Sequence, residues 1–504
     1  MAGPPEHGVT YDRFVVNRLS PRDAMFYFLD ESRTTTHLGA LLILSPQKEQ
    51  NAEDAGPKGQ GASSNASARS TLDYPSLVTL VENRLQLVPR YRQVVREVTL
   101  GLARPVWVDD RDFDINFHIR RAGLPRPGGP GDLADLIARV MSRPLDRTRP
   151  LWEMYLIEGL ADGKLAILTK SHRCLLDDGG GTEISEVICD EQPEPVTLPE
   201  DLWMPGSPPG GTRLLMGALG EALSRPGDLV DTVTNGNGLV SDIRSAVETT
   251  VRRVGGVVQQ LTDSAPSSPL NAVGTSTRMF ITASVPRRGC AKIAQCYGCT
   301  VNDVELAIIS GVMRKWLLSV DPGASVADTV RVVIPLSARD PGVERTVETD
   351  PGWVSVGKPS FVTDLPVGEA NPAVRLAQVA GLANRYAQSS RRVSLGPRPL
   401  FPELGVVPFP EFSSRAFRSL NSRGYNVPVA MGTTPIADRF LLGHRVDEVF
   451  AVPMLVAERA LAISVVEYGD NLQFGFIADR GVIGDLPVMA DFVAESYEEL
   501  ASVV

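Results

Sequence analysis

Two stretches of this chain, some three hundred residues apart, carry one pattern. "LWEMYLIEGLADGKLAILTKSHR", from Leu151 to Arg173, is two β-rich runs around Asp162-Gly163, a strong hairpin turn signal. "ALAISVVEYGDNLQFGFIADRG", from Ala460 to Gly481, does the same and turns at Gly469-Asp470-Asn471. Helical patterns surround both. Leu77, Leu80, Val81, Leu85 and Val88 share one face, as do Val304, Ala307, Ile308, Val312 and Trp316. "SPRDAMFYFLDE" opens with Ser20 as N-cap and Pro21 at the first helical position. "DLADLIARVMSRPLD" is an amphipathic helix that Pro144 ends. Mixed strands and helices in two comparable halves predict a two-domain α/β protein.

The expected division is a domain over 1–195, a helical crossover over 196–272 and a second domain over 273–504. The polar, small-residue stretch 47–71 reads as a disordered insertion. Within the crossover, helical patterns are expected over about 212–224 and 239–262.

Bulk properties exclude several functions. The net charge of -10 argues against a nucleic-acid footprint, which needs a clustered basic face. No run of apolar residues is long enough to span a membrane, and "MAGPPEHGVTYDRF" has no secretory pattern. Five cysteines in a chain of 504 residues fit a reducing cytoplasm better than a disulfide scaffold.

"KSHRCLLDDGGG", Lys170 to Gly181, sits where the first hairpin runs into a loop. If the strand continues through it, Lys170 and His172 share a face, and His172 and Arg173 point oppositely. His172 can act as a general base near neutral pH; Arg173 stays protonated and cannot. Asp177 or Asp178 could orient a neighbour or hold the loop by an ion pair. From spacing alone a polar turn at a strand end is the favoured reading. A phosphate cradle is disfavoured, because the loop lacks the lysine and spacing of a P-loop and carries two aspartates. Cys296 and Cys299 have C-x-x-C spacing but no companion ligands for zinc, and read as ordinary cysteines. Asn302 and Asp303 open a helix, where an N-cap and a dipole-complementing acid suffice to explain them. His37 begins an apolar strand and His118 lies in "FDINFHIRR"; both read as structural histidines.

Taken together, "LSPRDAMFYFLDE", "THLGALLIL", "RPVWVDDRDFDINFHIRRAGLPRPG", "PLDRTRPLWEMYLIEGL", "KSHRCLLDDG", "VNDVELAIISGV", "VIPLSARD" and "YGDNLQFGFIADRGVIGD" resemble the bacterial wax ester synthase/acyl-CoA:diacylglycerol acyltransferase family. The resemblance implies the fold of the CoA-dependent acyltransferases, two α/β domains with a channel between them. It implies transfer of a fatty acyl group from acyl-CoA to diacylglycerol or a long-chain alcohol. The family motif is two histidines, three variable residues, aspartate and glycine, and its second histidine deprotonates the acceptor hydroxyl. Here the resemblance puts His172 and Asp177 at motif positions, Arg173 at the base position and Asp178 at the glycine position; sliding the register by one recovers the glycine at Gly179 but puts Arg173 and Cys174 at the histidine positions. Asn302 and Asp303 become candidate substrate-binding residues. "NVPVAMGTTP", Asn426 to Pro435, stands where the family usually has Ser-Asn-Val-Pro-Gly-Pro, and matches it poorly.

Two functions compete on this basis. One is an acyltransferase in which His172 substitutes as base or positioning alone suffices. The other is a paralogue that binds acyl-CoA or lipid, or partners an active homologue. A redox role for Cys296 and Cys299 is the remote third. No metal or cofactor is expected, acyl-CoA being a substrate. A cytoplasmic protein, working at a membrane or lipid-droplet surface by peripheral attachment, is the expected setting.

Overall fold

The computed structural model describes residues 17–30, 35–46, 72–98, 104–176, 183–207, 210, 265–266, 268–272, 274–320, 329–335, 360–388, 424–431, 437–456 and 458–503. The expected insertion over 47–71, the crossover helices, Asp177 and Asp178 lie outside them.

Among the described residues there are two six-stranded sheets and a small ribbon. The first sheet runs β11 (Phe440–Leu441), β12 (His444–Val452), β1 (His37–Leu44), β6 (Leu165–His172), β5 (Trp152–Glu158), β4 (Ile119–Gly123). The second runs β7 (Arg278–Pro286), β14 (Asn471–Asp479), β13 (Leu461–Tyr468), β10 (Val427–Met431), β8 (Val330–Pro335), β9 (Ser360–Leu365). Strands β2 (Gln93–Arg96) and β3 (Val106–Asp109) form the ribbon. Both expected hairpins are present as antiparallel pairs, β5 with β6 and β13 with β14. The fold is mixed α/β, as expected.

Local signals explain the helices that position the site. Helix α1 (Pro21–Leu29) is capped by Ser20, whose hydroxyl accepts the Asp23 N–H at 3.1 Å. In α2 (Tyr74–Arg84) the Asp73 carboxylate accepts the Ser76 N–H. The predicted apolar face is buried, with Leu85 and Val88 beyond the helix in a 3₁₀ turn and just after it. A one-turn helix, α3 (Ile115–His118), leads into β4. In α4 (Pro130–Ser142) proline starts the helix and Asp132 accepts the Gly129 N–H. Leu133, Ile137, Val140 and Met141 are its buried stripe. The short α5 (Ile184–Val187) follows the motif loop. In the second half, α6 (Arg287–Tyr297), α7 (Val301–Val320), α8 (Pro372–Gln388) and α9 (Val488–Ala501) flank the sheet. All five predicted face residues of α7 are buried in the second core.

The chain does not keep its halves apart. Strands β11 and β12 come from the expected second domain, yet pair into the first sheet, β12 against β1. A boundary drawn in sequence at 273 therefore does not separate the sheets. The cause is that β1 needs a partner on its free side, and β12 offers an apolar run with four consecutive buried residues, Val449 to Val452. The far side of β12 is fastened to the second sheet. Gln473 Oε1 accepts the Val449 N–H at 2.5 Å, and Ser464 Oγ donates to the Ala451 carbonyl at 2.6 Å. A third apolar cluster bridges the halves, joining Ile137 and Met141 of α4 to Phe280, Ala462 and Ile477.

Gly475 makes this approach possible: a Cβ there would sit 2.4 Å from the Ala451 carbonyl oxygen. Gly475→Ala is expected to destabilise the protein by about 1–3 kcal/mol. A lower urea midpoint reads this out; a midpoint equal to wild type would show that the two sheets separate at no cost.

Candidate active site

Strand β6 delivers His172 to its end, and there the chain leaves the strand in one 3₁₀ turn, Arg173–Leu175. His172 is paired across the sheet with His37 at the start of β1, and the two rings lie 5.9 Å apart. Between α1 and β1 lie Asp30 and Thr36. Thr36 Oγ1 is 2.8 Å from His172 Nε2, and the Thr36 N–H donates to Asp30 Oδ1 at 3.0 Å. Asp30 is 3.7 Å from His37 Nε2 and 3.8 Å from His172 Nε2. Arg147 closes the group by donating to the carbonyls of Tyr27 and Asp30 and covering the Tyr27 ring at 4.6 Å.

The hydrogen bonds assign the proton on His172. The Cys174 N–H can only donate, and it donates to His172 Nδ1 at 3.1 Å. The neutral ring therefore carries its hydrogen on Nε2 and donates it to Thr36 Oγ1. That hydroxyl in turn donates to the Phe26 carbonyl at 3.3 Å. Burial is the main reason the imidazole stays neutral; despite the opposing Asp30 charge, its pKa is pushed down to about 3. Burial alone would raise the Asp30 carboxyl, but His37, His172 and the Thr36 N–H outweigh it and hold it at about 2. Burial lowers His37 as well.

With both nitrogens committed and the ring fully enclosed, His172 holds no free lone pair toward an acceptor hydroxyl. It fixes the turn instead. Nor do His172 and Arg173 diverge as strand alternation predicts. The 3₁₀ turn ends the alternation at Arg173, and both side chains reach α1 and the residues behind it. The Arg173 guanidinium lies over Phe26 at 5.1 Å and 3.9 Å from Asp23 Oδ1, and donates to the Leu176 carbonyl.

The motif loop is anchored at both described ends. Leu176 N–H bonds back to Arg173, while Glu183 holds Ser171 at 3.2 Å and the Ser185 N–H at 2.8 Å. Lys170 is buried on β6 and donates to the carbonyls of Val140 and Arg143, the open end of α4. Burial pulls its ammonium down to about 8.

The other candidates take structural posts. Asp303 Oδ2 accepts the N–H and hydroxyl of Thr300, and Thr300 Oγ1 accepts the Asp303 N–H. The cap residue of α7 is thus Thr300, two positions before Asn302, which lies inside the first turn; the reciprocal pair satisfies the free N–H groups there. Cys296 is exposed and Cys299 half-buried, on either side of Gly298, whose φ of 63° ends α6. Burial pushes the Cys299 thiol up to about 11. His118 stacks on Trp152 at 4.5 Å and bonds its carbonyl at 2.8 Å, the structural role expected. Sequence reasoning missed Asp30, Thr36, Arg147 and Glu183; the first three stood in the quoted "LSPRDAMFYFLDE", "THLGALLIL" and "PLDRTRPLWEMYLIEGL" but were not singled out, and Glu183 lay outside the quoted stretches.

In the unfolded chain a histidine takes its proton near pH 6.5. Folded His172 resists until about pH 3, so the unfolded state binds more protons between those values. Stability is therefore lost as pH falls from about 6.5 toward 3, with a slope of up to about 1.4 kcal/mol per unit for one group. His37 and His118 act in the same direction. Burial raises the Glu183 and Glu305 carboxyls and so acts the other way, which makes the comparison with a variant the readout: between pH 7 and 4 the urea midpoint should fall less, or rise more, in His172→Gln than in wild type. An unchanged slope in that variant would contradict the neutral, buried assignment.

A family profile described as "wax ester synthase/diacylglycerol acyltransferase catalytic domain" matches residues 19–305, and the corresponding C-terminal domain profile matches 360–501. A protein of Mycobacterium tuberculosis named probable diacylglycerol O-acyltransferase is 45% identical over 271 residues, 53% of this chain and 92% of its own length. A second so named in that species is 28% identical over 436 residues, covering 86% of this chain and 89% of itself. Among solved structures, a wax ester synthase/diacylglycerol acyltransferase from Marinobacter aquaeolei VT8 superposes with a TM-score of 0.64 at 21% identity, over 96% of this chain and 98% of that one. The first condensation domain of the calcium-dependent antibiotic synthetase gives 0.52 at 14% identity, over 97% of both chains. These structural likenesses bear on the fold.

Proposed function

The chain belongs to the wax ester synthase/diacylglycerol acyltransferase family, and from that premise we propose that it is an O-acyltransferase moving a fatty acyl group from acyl-CoA to diacylglycerol or a long-chain alcohol. The observation that carries this is the match of both family domains in order along the chain.

The chain's own residues suggest how the work divides. His172 is a positioning residue: through Thr36 and Cys174 it fixes the strand end and the turn from which the motif loop departs. Arg173 cannot remove a proton from an alcohol. Its fixed positive charge stands where the family keeps a base, so transfer rests on orientation of the thioester and acceptor rather than on proton removal at this position. Orientation alone is a substantial contribution, but a positioned base adds typically about 10²–10⁴-fold. The native enzyme is therefore slow relative to a two-histidine relative. Its substrates are oily, and among the described residues no helix is long and apolar enough to cross a membrane. Peripheral attachment at a lipid surface is the arrangement that fits.

Radiolabelled palmitoyl-CoA with diacylglycerol or hexadecanol tests the reading. Labelled triacylglycerol or wax ester should form above the blank, and Arg173→His should raise kcat by roughly 10²-fold. Product equal to the blank in both the wild type and Arg173→His, with melting behaviour preserved, overturns it.

A further inference from the structure

Where α4 meets the beginning of β7 and the end of β14, the surface opens into a cavity of about 540 Å³. Its two sides come from different halves of the chain and are tied at the base, where the Arg278 N–H donates to Ser142 Oγ at 2.9 Å. Four arginines line it: Arg139 from α4, Arg143 just past its end, Arg278 from β7 and Arg480 just past β14. Arg143 is the C-cap of α4, where the backbone has already turned extended (φ -88°, ψ 138°), and Arg139 lies on the last turn before it.

Their charges are not equally committed. Arg278 is buried and pairs with Asp479 Oδ2 at 3.2 Å. Arg139, Arg143 and Arg480 are exposed, and among the described residues no carboxylate lies within ion-pair distance of any of them. The rim also carries Asp132 and Asp135. Asp132 accepts the Gly129 N–H and keeps its charge, so two carboxylates stand against three guanidinium groups without an ion-pair partner and the paired Arg278. In a chain of net charge -10 this is a local reversal of sign. Arginines gathered in excess of their counter-charges repel one another, and an anion with several oxygens relieves that by charge-assisted, bidentate hydrogen bonds.

The wall of the cavity is tied to the strand that carries the motif. The carbonyls of Val140 and Arg143 are held by Lys170, two residues before His172 on β6. Two strand residues span about 7 Å. The basic end of the cavity is thus one lysine side chain and that short run from the strand end where His172 sits.

We propose that this cavity binds the phosphates of the acyl donor's nucleotide, with Arg139, Arg143 and Arg480 as the phosphate-binding residues. This rests on the acyl-CoA reading above. The donor's nucleoside diphosphate lies at the arginines, and its flexible arm carries the thioester toward the end of β6. Phosphate is the shared chemistry, and a phospholipid headgroup would offer it too.

Calorimetric titration of the full chain with free coenzyme A tests the assignment without requiring turnover. Arg143→Glu and Arg480→Glu should each weaken binding roughly tenfold or more, Arg143→Lys less, and added salt should weaken the wild type. The kcat/KM ratio for palmitoyl-CoA over palmitoyl-pantetheine should fall in the same glutamate variants. No measurable coenzyme A binding by wild type, or glutamate variants that bind as wild type does, overturns the proposal. So does loss of binding to phosphatidylcholine vesicles containing phosphatidic acid with coenzyme A binding intact, which assigns the arginines to a headgroup. Coenzyme A bound through these arginines by a chain that transfers no acyl group would support this site and sink the transferase reading. An active transferase whose substrate ratio ignores Arg143→Glu would do the reverse.

Discussion

Everything at the centre of this molecule depends on β12 being held on both sides. One edge completes the ladder of β1, and through β1 that of β6. Along the other edge no strand among the described residues pairs beside Val449 and Ala451. Its backbone groups are met by side chains instead, the N–H by Gln473 and the carbonyl by Ser464. A buried, unpaired backbone group is costly, so this solution fixes how the second sheet sits on the first. The absent side chain at Gly475 sets the distance. Helix α4 then fills the remaining space between halves, and its open end is closed by Lys170.

The consequence reaches the motif. His172 lies on a strand whose neighbours are all committed, and its ring is held by hydrogen bonds at both nitrogens. Asp30 lies beneath both histidines and accepts the Thr36 N–H, so one short segment after α1 serves His37, His172 and the turn together. The histidine in the motif is therefore part of the frame. Position 173 follows directly on that frame, and there the side chain lies against α1 and the Phe26 ring.

Much of this was legible locally. The Ser20 cap, the two hairpin turns and the apolar faces of α2 and α7 all follow from spacing within a dozen residues. So did the separation of Lys170 from Ser171 across β6: Lys170 reaches α4 and Ser171 reaches Glu183. What failed was anything set by distant pairing. No local pattern says that His444–Val452 abandons its own half. Nor does any say that Asp30 and Thr36 meet a histidine more than 130 positions away. The alternation argument failed at Arg173 for a smaller reason: a strand's period holds only while the strand lasts. The Thr300–Asp303 cap was overlooked because Asn302, one of the strongest capping residues by preference, stood in between.

The pairing of β1 with β12 has a bearing on how the chain is made. Ser45 and Asp447, which meet beside that pair, are separated by 402 residues. At synthesis rates of about 5–20 residues per second, β1 leaves the ribosome roughly 20–80 seconds before its partner. For that interval the first sheet presents an apolar strand with an open edge, the surface most prone to pairing with another chain. The last quarter of the sequence thus acts as a chaperone to the first. A nascent chain stalled before Val452 would be expected to aggregate rather than to wait, however complete its motif already was.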